Sequence, residues 1–256
     1  MSMTETGGVK SAVRVLQVLE HLAEVGDASF AELTTELALP KSSASALLAT
    51  MESSGWVERS ALRRYSVGLR AWQVGQRFRG HESITAFARP LMDALSEQTG
   101  ETVQLARLDG MENVYIAISQ SSNPMRLASS VGMRLPSHAT GIGKALLSQL
   151  DPTERARRVT GAQLTRLTDH TITDPERLLA VLAECALADF ATDDEEYLEG
   201  CRCIAVPLHT GALGVETALS VTAPAFRTGP TWPADALPLL RAAATQLRTR
   251  LGIVRT

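Results

Sequence analysis

The sequence predicts an α+β protein in two parts, a winged helix-turn-helix followed by a domain built on a mainly antiparallel sheet. Three observations predict it. Ser29 to Gly55 reads as two short helices joined by a tight turn. A hairpin with an arginine-rich tip follows, Trp56–Val57 going out and Tyr65–Val67 returning. Beyond Gly80, strand-like runs come in hairpin pairs with helices between the pairs, which is the α+β pattern.

In the first part, Ser11, Ala12, Val15, Leu16, Leu19 and Leu22 repeat at helical spacing, which predicts a first helix to about Val25. Ser29 with Glu32 is a capping box, hydroxyl and carboxylate each satisfying an orphan backbone N–H. Phe30, Leu33 and Leu37 share the face of the helix it opens. Pro40 suits the first turn of the next helix, where a missing N–H costs nothing. Ala44, Leu47, Leu48 and Met51 form that helix's buried side, and Gly55 supplies a left-handed cap. Its opposite side carries Lys41, Ser42, Ser43 and Ser45, small hydrogen-bonding residues with one cation, suited to a recognition helix in a DNA major groove. Plain helical hairpins are also common. The hairpin with Arg59, Arg63 and Arg64 tips the balance, because arginine at a wing meets phosphate or the minor groove. Leu69–Arg79 predicts a connecting helix, able to pack on its own domain or on a second subunit. The expected organisation is a DNA-binding domain over 1–68, a linker helix over 69–80 and a second domain over 81–256.

In the second part, helices are expected at Phe87–Gln98, Gly141–Leu150, Thr153–Val159, Pro175–Asp189 and Pro238–Leu251. Strands are expected at Thr102–Leu108 and Asn113–Ser119 around Asp109-Gly110, at Leu127–Val131, and at Arg202–Leu208 and Leu213–Thr222 around Thr210-Gly211.

Composition narrows the function classes. The chain has 256 residues, enough for two domains, and 45% of them are apolar. No apolar run approaches the roughly 20 residues that span a bilayer, so no membrane partner is expected. Its start lacks the apolar core of a signal peptide. Three cysteines do not suggest a disulfide framework, and a cytoplasmic home is expected. Residues 1–80 hold 9 Lys/Arg against 8 Asp/Glu, and residues 81–256 hold 16 against 20. DNA binding would therefore rest on a local patch and helix N-termini, not on global charge.

Chemistry-bearing motifs are few. His138–Leu147, HATGIGKALL, fails as a P-loop because His138 and Ala145 stand where Gly and Ser/Thr are needed, and as a dinucleotide turn because of Leu146. Gly141 and Gly143 leave two readings: a helix start whose free N–H groups receive an anion, or a tight turn needing glycine for conformation. Asp193, Asp194, Glu195 and Glu196 read as a solvated loop more often than as a site. Ser220 and Thr222 share one face by period two; inward they would need a partner such as a small polar ligand, but pattern alone favours solvent. Cys201-x-Cys203 lacks the second pair of a zinc site, and no HExxH or GxSxG occurs. Neither a metal nor a cofactor is expected, and nothing positive supports an enzyme.

Five stretches in register, SAVRVLQVLEHLAE, LPKSSASALLATMESSGWV, RRYSVGLRAWQVG, LPSHATGIGKALL, and DDEEYLEGCRCIAVPL with ALSVTAPAFR, resemble the IclR family of bacterial transcriptional regulators over nearly the whole chain. The resemblance implies a GAF-like effector domain after the winged helix-turn-helix, and dimers or dimers of dimers on palindromic DNA operators. It implies an effector pocket at Gly141, Ile142, Asp193, Cys203, Ser220 and Thr222, taking small carboxylates or aromatic acids. No histidine stands beside Cys203 in the sequence, so it reads as a pocket wall and not a nucleophile. The chain departs from the family pattern in two places. Ser45 and Ala46 replace a bulky residue and Arg, so DNA preference does not transfer, and Thr222 replaces the usual Ser. The expected function is a ligand-responsive repressor; the alternative is an enzyme acting on a small organic acid through the second domain.

Overall fold

A computed structural model describes residues 9–77, 82–210 and 216–253. The chain divides into two compact units, Met1–Gly80 and His81–Thr256.

The first unit runs α1 (Lys10–Val25), β1 (Asp27–Ser29), α2 (Phe30–Glu36), α3 (Lys41–Ser53), β2 (Val57–Arg59), β3 (Arg64–Val67) and α4 (Leu69–Gly75). The capping box is formed: Ser29 N–H donates to Glu32 Oε2 at 2.7 Å, and Glu32 N–H to Ser29 Oγ at 3.3 Å. Pro40 is the residue before α3, with φ −61°. The helix closes through Gly55 at φ +77°, where Gly55 and Trp56 donate to the Glu52 and Met51 carbonyls. Val18, Leu22, Leu33, Leu48, Met51, Val57 and Tyr65 form the core. The three strands pair antiparallel in the order β1-β3-β2. β1 is too short for period two to reveal. In α4 no residue is buried; Leu69, Trp72 and Val74 are 58, 62 and 51% exposed. The expected linker helix ends at Gly75, with Gln76 and Arg77 in a turn, and 78–79 lie outside the described residues.

The second unit runs α5 (Glu82–Thr99), β4 (Thr102–Asp109), β5 (Glu112–Ser119), β6 (Arg134–Pro136), α6 (Gly141–Ser148), α7 (Pro152–Thr160), α8 (Pro175–Ala188), β7 (Ala191–Asp194), β8 (Cys201–Pro207), β9 (Thr217–Pro224) and α9 (Ala236–Arg250). Six strands lie in the order β6-β5-β4-β9-β8-β7, each pair antiparallel. Alternation gives the sheet two buried faces. Val103, Leu105, Ile204, Val206, Leu219 and Val221 pack with Met92, Leu95, Leu240 and Leu247 from α5 and α9. Ala106, Leu108, Ala205 and Ala218 pack with Ile142, Leu146, Leu178 and Leu182 from α6 and α8. Each fully buried Leu or Val of this kind stabilises by about 1.5–3 kcal/mol.

Three expectations are corrected. Leu127–Val131 is not a strand. The chain turns instead at Ser130–Met133 through Gly132, φ +90°, and Arg134–Pro136 pairs with β5. Only Leu135 of those three is buried, so no alternation marked them. The acidic run is not a solvated loop throughout: Asp193 ends a buried row in β7 and Glu196 is buried, while Asp194 pairs with Arg202 at 2.6 Å. The face carrying Ser220 and Thr222 is not solvent; α6 covers it, and both residues are buried. The expected strand from Leu213 is observed from Thr217, its start lying outside the described residues.

Candidate functional site

In the first unit, Lys41, Ser42 and Ser45 are exposed together with Ala46 and Ala49 on one side of α3. Ser43 turns away from them: its hydroxyl donates to Pro40 O at 3.0 Å and receives Arg14 at 3.4 Å. At the wing, Arg63 holds φ +57° in the turn, with its N–H on Ser60 O. Arg64 is tied down. Its guanidinium meets Asp27 Oδ1 at 2.6 Å and Glu32 Oε2 at 3.2 Å, so the capping carboxylate also anchors the wing strand. Arg59 lies over the Tyr65 ring at 5.3 Å.

In the second unit the sheet register assembles a polar row. Asp193 stands opposite Cys203, Cys203 opposite Thr222, and Thr222 opposite Thr102. One step along, Ser220 stands opposite Gln104. Opposed residues point to the same face, and the start of α6 lies on that face. A Cβ on Gly141 would come 3.1 Å from Cys203 Sγ and 3.2 Å from Asp193 N. One on Gly143 would come 2.2 Å from Ser137 Cα. Neither glycine has a left-handed backbone, so close approach and not conformational freedom demands them.

Thr140 caps the helix: its Oγ1 accepts from Gly143 N–H at 3.2 Å and donates to Asn113 Oδ1 at 2.8 Å. That narrows the expected anion site to the first two helical amides, Gly141 and Ile142, which have no carbonyl within the helix. Burial pushes the Cys203 thiol up to about 12, Asp193 adding to the effect, while the neighbouring Thr222 and Ser220 hydroxyls and the Ile142 amide oppose it. Such a thiol is inert as a nucleophile at neutral pH. Burial also pushes the Asp193 carboxyl up to about 7, against the Glu196 N–H that donates to it at 2.7 Å. Glu196 in turn forms a buried ion pair with Lys144 of α6. Tyr115, buried in β5 near Cys203 and Asp193, has its phenol raised by burial.

A profile described as the bacterial transcriptional regulator IclR C-terminal domain matches residues 77–249, and the IclR helix-turn-helix domain matches residues 11–61. The chain belongs to the IclR family of bacterial transcriptional regulators. The acetate operon repressor of Salmonella typhimurium is 35% identical over 226 residues, 87% of this chain and 82% of that protein. The regulator KdgR of Escherichia coli is 32% identical over 245 residues, 95% and 93% of the two chains. Among solved structures, an IclR homolog from Microbacterium hydrocarbonoxydans complexed with 4-hydroxybenzoate superposes with TM-score 0.79 and 27% identity, covering 95% of this chain and 98% of that one. The helix-turn-helix is thus a DNA-binding module of a family whose members regulate transcription, and the second unit is its C-terminal domain.

The structure brings Gly141, Ile142, Asp193, Cys203, Ser220 and Thr222 into one buried cluster. It adds Gln104, Thr140, Lys144 and Glu196, which sequence reasoning did not select. Only Thr140 had a legible signal, a threonine in N-cap position before a helix start.

Proposed function

We propose that this family member is a ligand-responsive repressor. It binds a palindromic operator as a homodimer or dimer of dimers, and releases it when a small carboxylate or aromatic acid occupies the Gly141, Ile142, Asp193, Cys203, Ser220 and Thr222 cluster. Lys41, Ser42 and Ser45 read base edges, Ser43 supports them, and Arg63 contacts phosphate or the minor groove beside Arg64. The observation that carries the reading is the buried polar row beneath a helix start. The positive end of α6 at the Gly141 and Ile142 amides favours a carboxylate, and the raised carboxyl of Asp193 tolerates it. The similar structure that holds 4-hydroxybenzoate supports an aromatic acid. The exposed Leu69, Trp72 and Val74 of α4 support a two-fold assembly on the palindrome.

The test is fluorescence anisotropy with DNA from the promoter beside the gene, titrated with 4-hydroxybenzoate and a panel of small carboxylates. Release by a member of the panel, with the acid recovered intact, is expected. Operator affinity indifferent to every acid overturns the reading, and conversion of the acid favours the enzyme alternative. Light scattering at micromolar concentration should give at least a dimer; a monomer still binding the operator tightly contradicts the assembly.

A further inference from the structure

Gln104 lies fully buried in β4, on the sheet face beneath α6. Its Oε1 accepts from Ser220 Oγ and Thr222 Oγ1, both at 3.0 Å. Its Nε2 is buried and has no hydrogen-bond partner. The orientation of the amide follows from its neighbours. Each hydroxyl has a single proton and a choice between the amide oxygen and the sulfur of Cys203. The amide oxygen is the better acceptor, because a neutral thiol sulfur accepts only weakly. Both hydroxyl protons are therefore spent on Oε1, and the buried amide N–H groups have nothing to receive them. A buried donor in that condition is costly, and native structures rarely keep one without a reason.

We propose that Gln104 Nε2 is a direct effector-binding donor, aimed by Ser220 and Thr222. This rests on the effector-site reading above and deepens it. Donors then occupy two separate places, the Gly141 and Ile142 amides at the helix start and the Gln104 amide on the sheet. The helix start, with its partial positive charge, takes a carboxylate. The neutral amide takes a neutral oxygen, a hydroxyl or a ketone. The ligand class is accordingly a hydroxy or oxo acid, and Gln104 is the residue that separates such acids from plain ones.

The test uses calorimetry on the full chain with matched pairs: 4-hydroxybenzoate against benzoate, and pyruvate against propionate. The wild type should prefer the oxygen-bearing member of at least one pair by about tenfold, the size of a single buried hydrogen bond. Gln104→Met, similar in length but unable to donate, should erase that preference while leaving the plain acid within a few-fold. In parallel, the Gln104 side-chain amide resonances of the 15N-labelled wild type should shift on adding the preferred acid; this decides the matter if the variant does not fold. A wild type that binds without preference, a Gln104→Met protein that keeps the preference, or amide resonances that do not move would each overturn the role of Gln104 alone. Failure of the wild type to bind all four acids overturns the effector reading together with it.

Discussion

Replacing Asp193 with Asn should remove a pH dependence that the second unit otherwise carries. Burial, with the Glu196 charge beside it, raises this carboxyl from 3.8 to about 7. A carboxyl that holds its proton more tightly when folded favours the folded state while protonated. That contribution is complete below 3.8, declines as pH rises, and is lost above about 7. At about 1.4 kcal/mol per tenfold in proton affinity, the span amounts to roughly 4 kcal/mol. Asparagine keeps an oxygen for the Glu196 N–H, now at 2.7 Å, but cannot ionise. Urea unfolding followed by circular dichroism between pH 4 and 8 reads the difference. The wild type should lose stability across that interval, and Asp193→Asn should be the flatter of the two and the more stable at pH 8. The same proton bears on ligand binding: lowering pH from 8 to 6 should tighten a carboxylate ligand in the wild type, because an anion leaves the site, and should do little in the variant. Parallel stability slopes for the two proteins would refute the placement of a titrating proton on Asp193, and with it the account of how an anionic ligand is tolerated there.

Gly143→Ala should destabilise the second unit by about 3 kcal/mol or more, since its methyl would overlap Ser137 backbone at 2.2 Å; a melting temperature within a degree of wild type would show that the turn yields freely. Arg63→Ala should weaken binding on all DNA sequences and reduce the salt slope by about one, whereas Arg64→Ala should reduce it less, because Asp27 and Glu32 already neutralise that guanidinium; equal slopes for the two variants would reject the distinction. Ser220→Ala should weaken 4-hydroxybenzoate by about 0.5–1.5 kcal/mol in calorimetry, and an unchanged dissociation constant for both Ser220→Ala and Thr222→Val would place the pocket elsewhere.

Much of the fold was legible because its signals are local. Ser29 and Glu32 bond each other three residues apart, and Gly55 caps the helix it follows. Period two marked β4 and β5, where several successive residues alternate between two packed faces. β1 and β6 escaped because three residues cannot establish a period. The candidate site was legible only in outline. Gly141 and Gly143 signalled close approach, but what they approach, Cys203 and Ser137, is set by tertiary contact. Gln104 gave no signal: a glutamine within an apolar strand reads the same whether it faces solvent or two hydroxyls 116 and 118 residues away. Asp193 and Glu196 looked like solvated charge because sequence does not show that Lys144, 52 residues from Glu196, is buried with it.

The Lys144–Glu196 pair also sets how the second unit can move. Separating two buried charges leaves each uncompensated, at about 3–5 kcal/mol. Glu196 is bound to α6 through its side chain, and its backbone N–H is bound to Asp193. Lys144 thus works as a rivet: it joins the turn after β7 to α6, so that drawing the two apart carries the cost of both uncompensated charges.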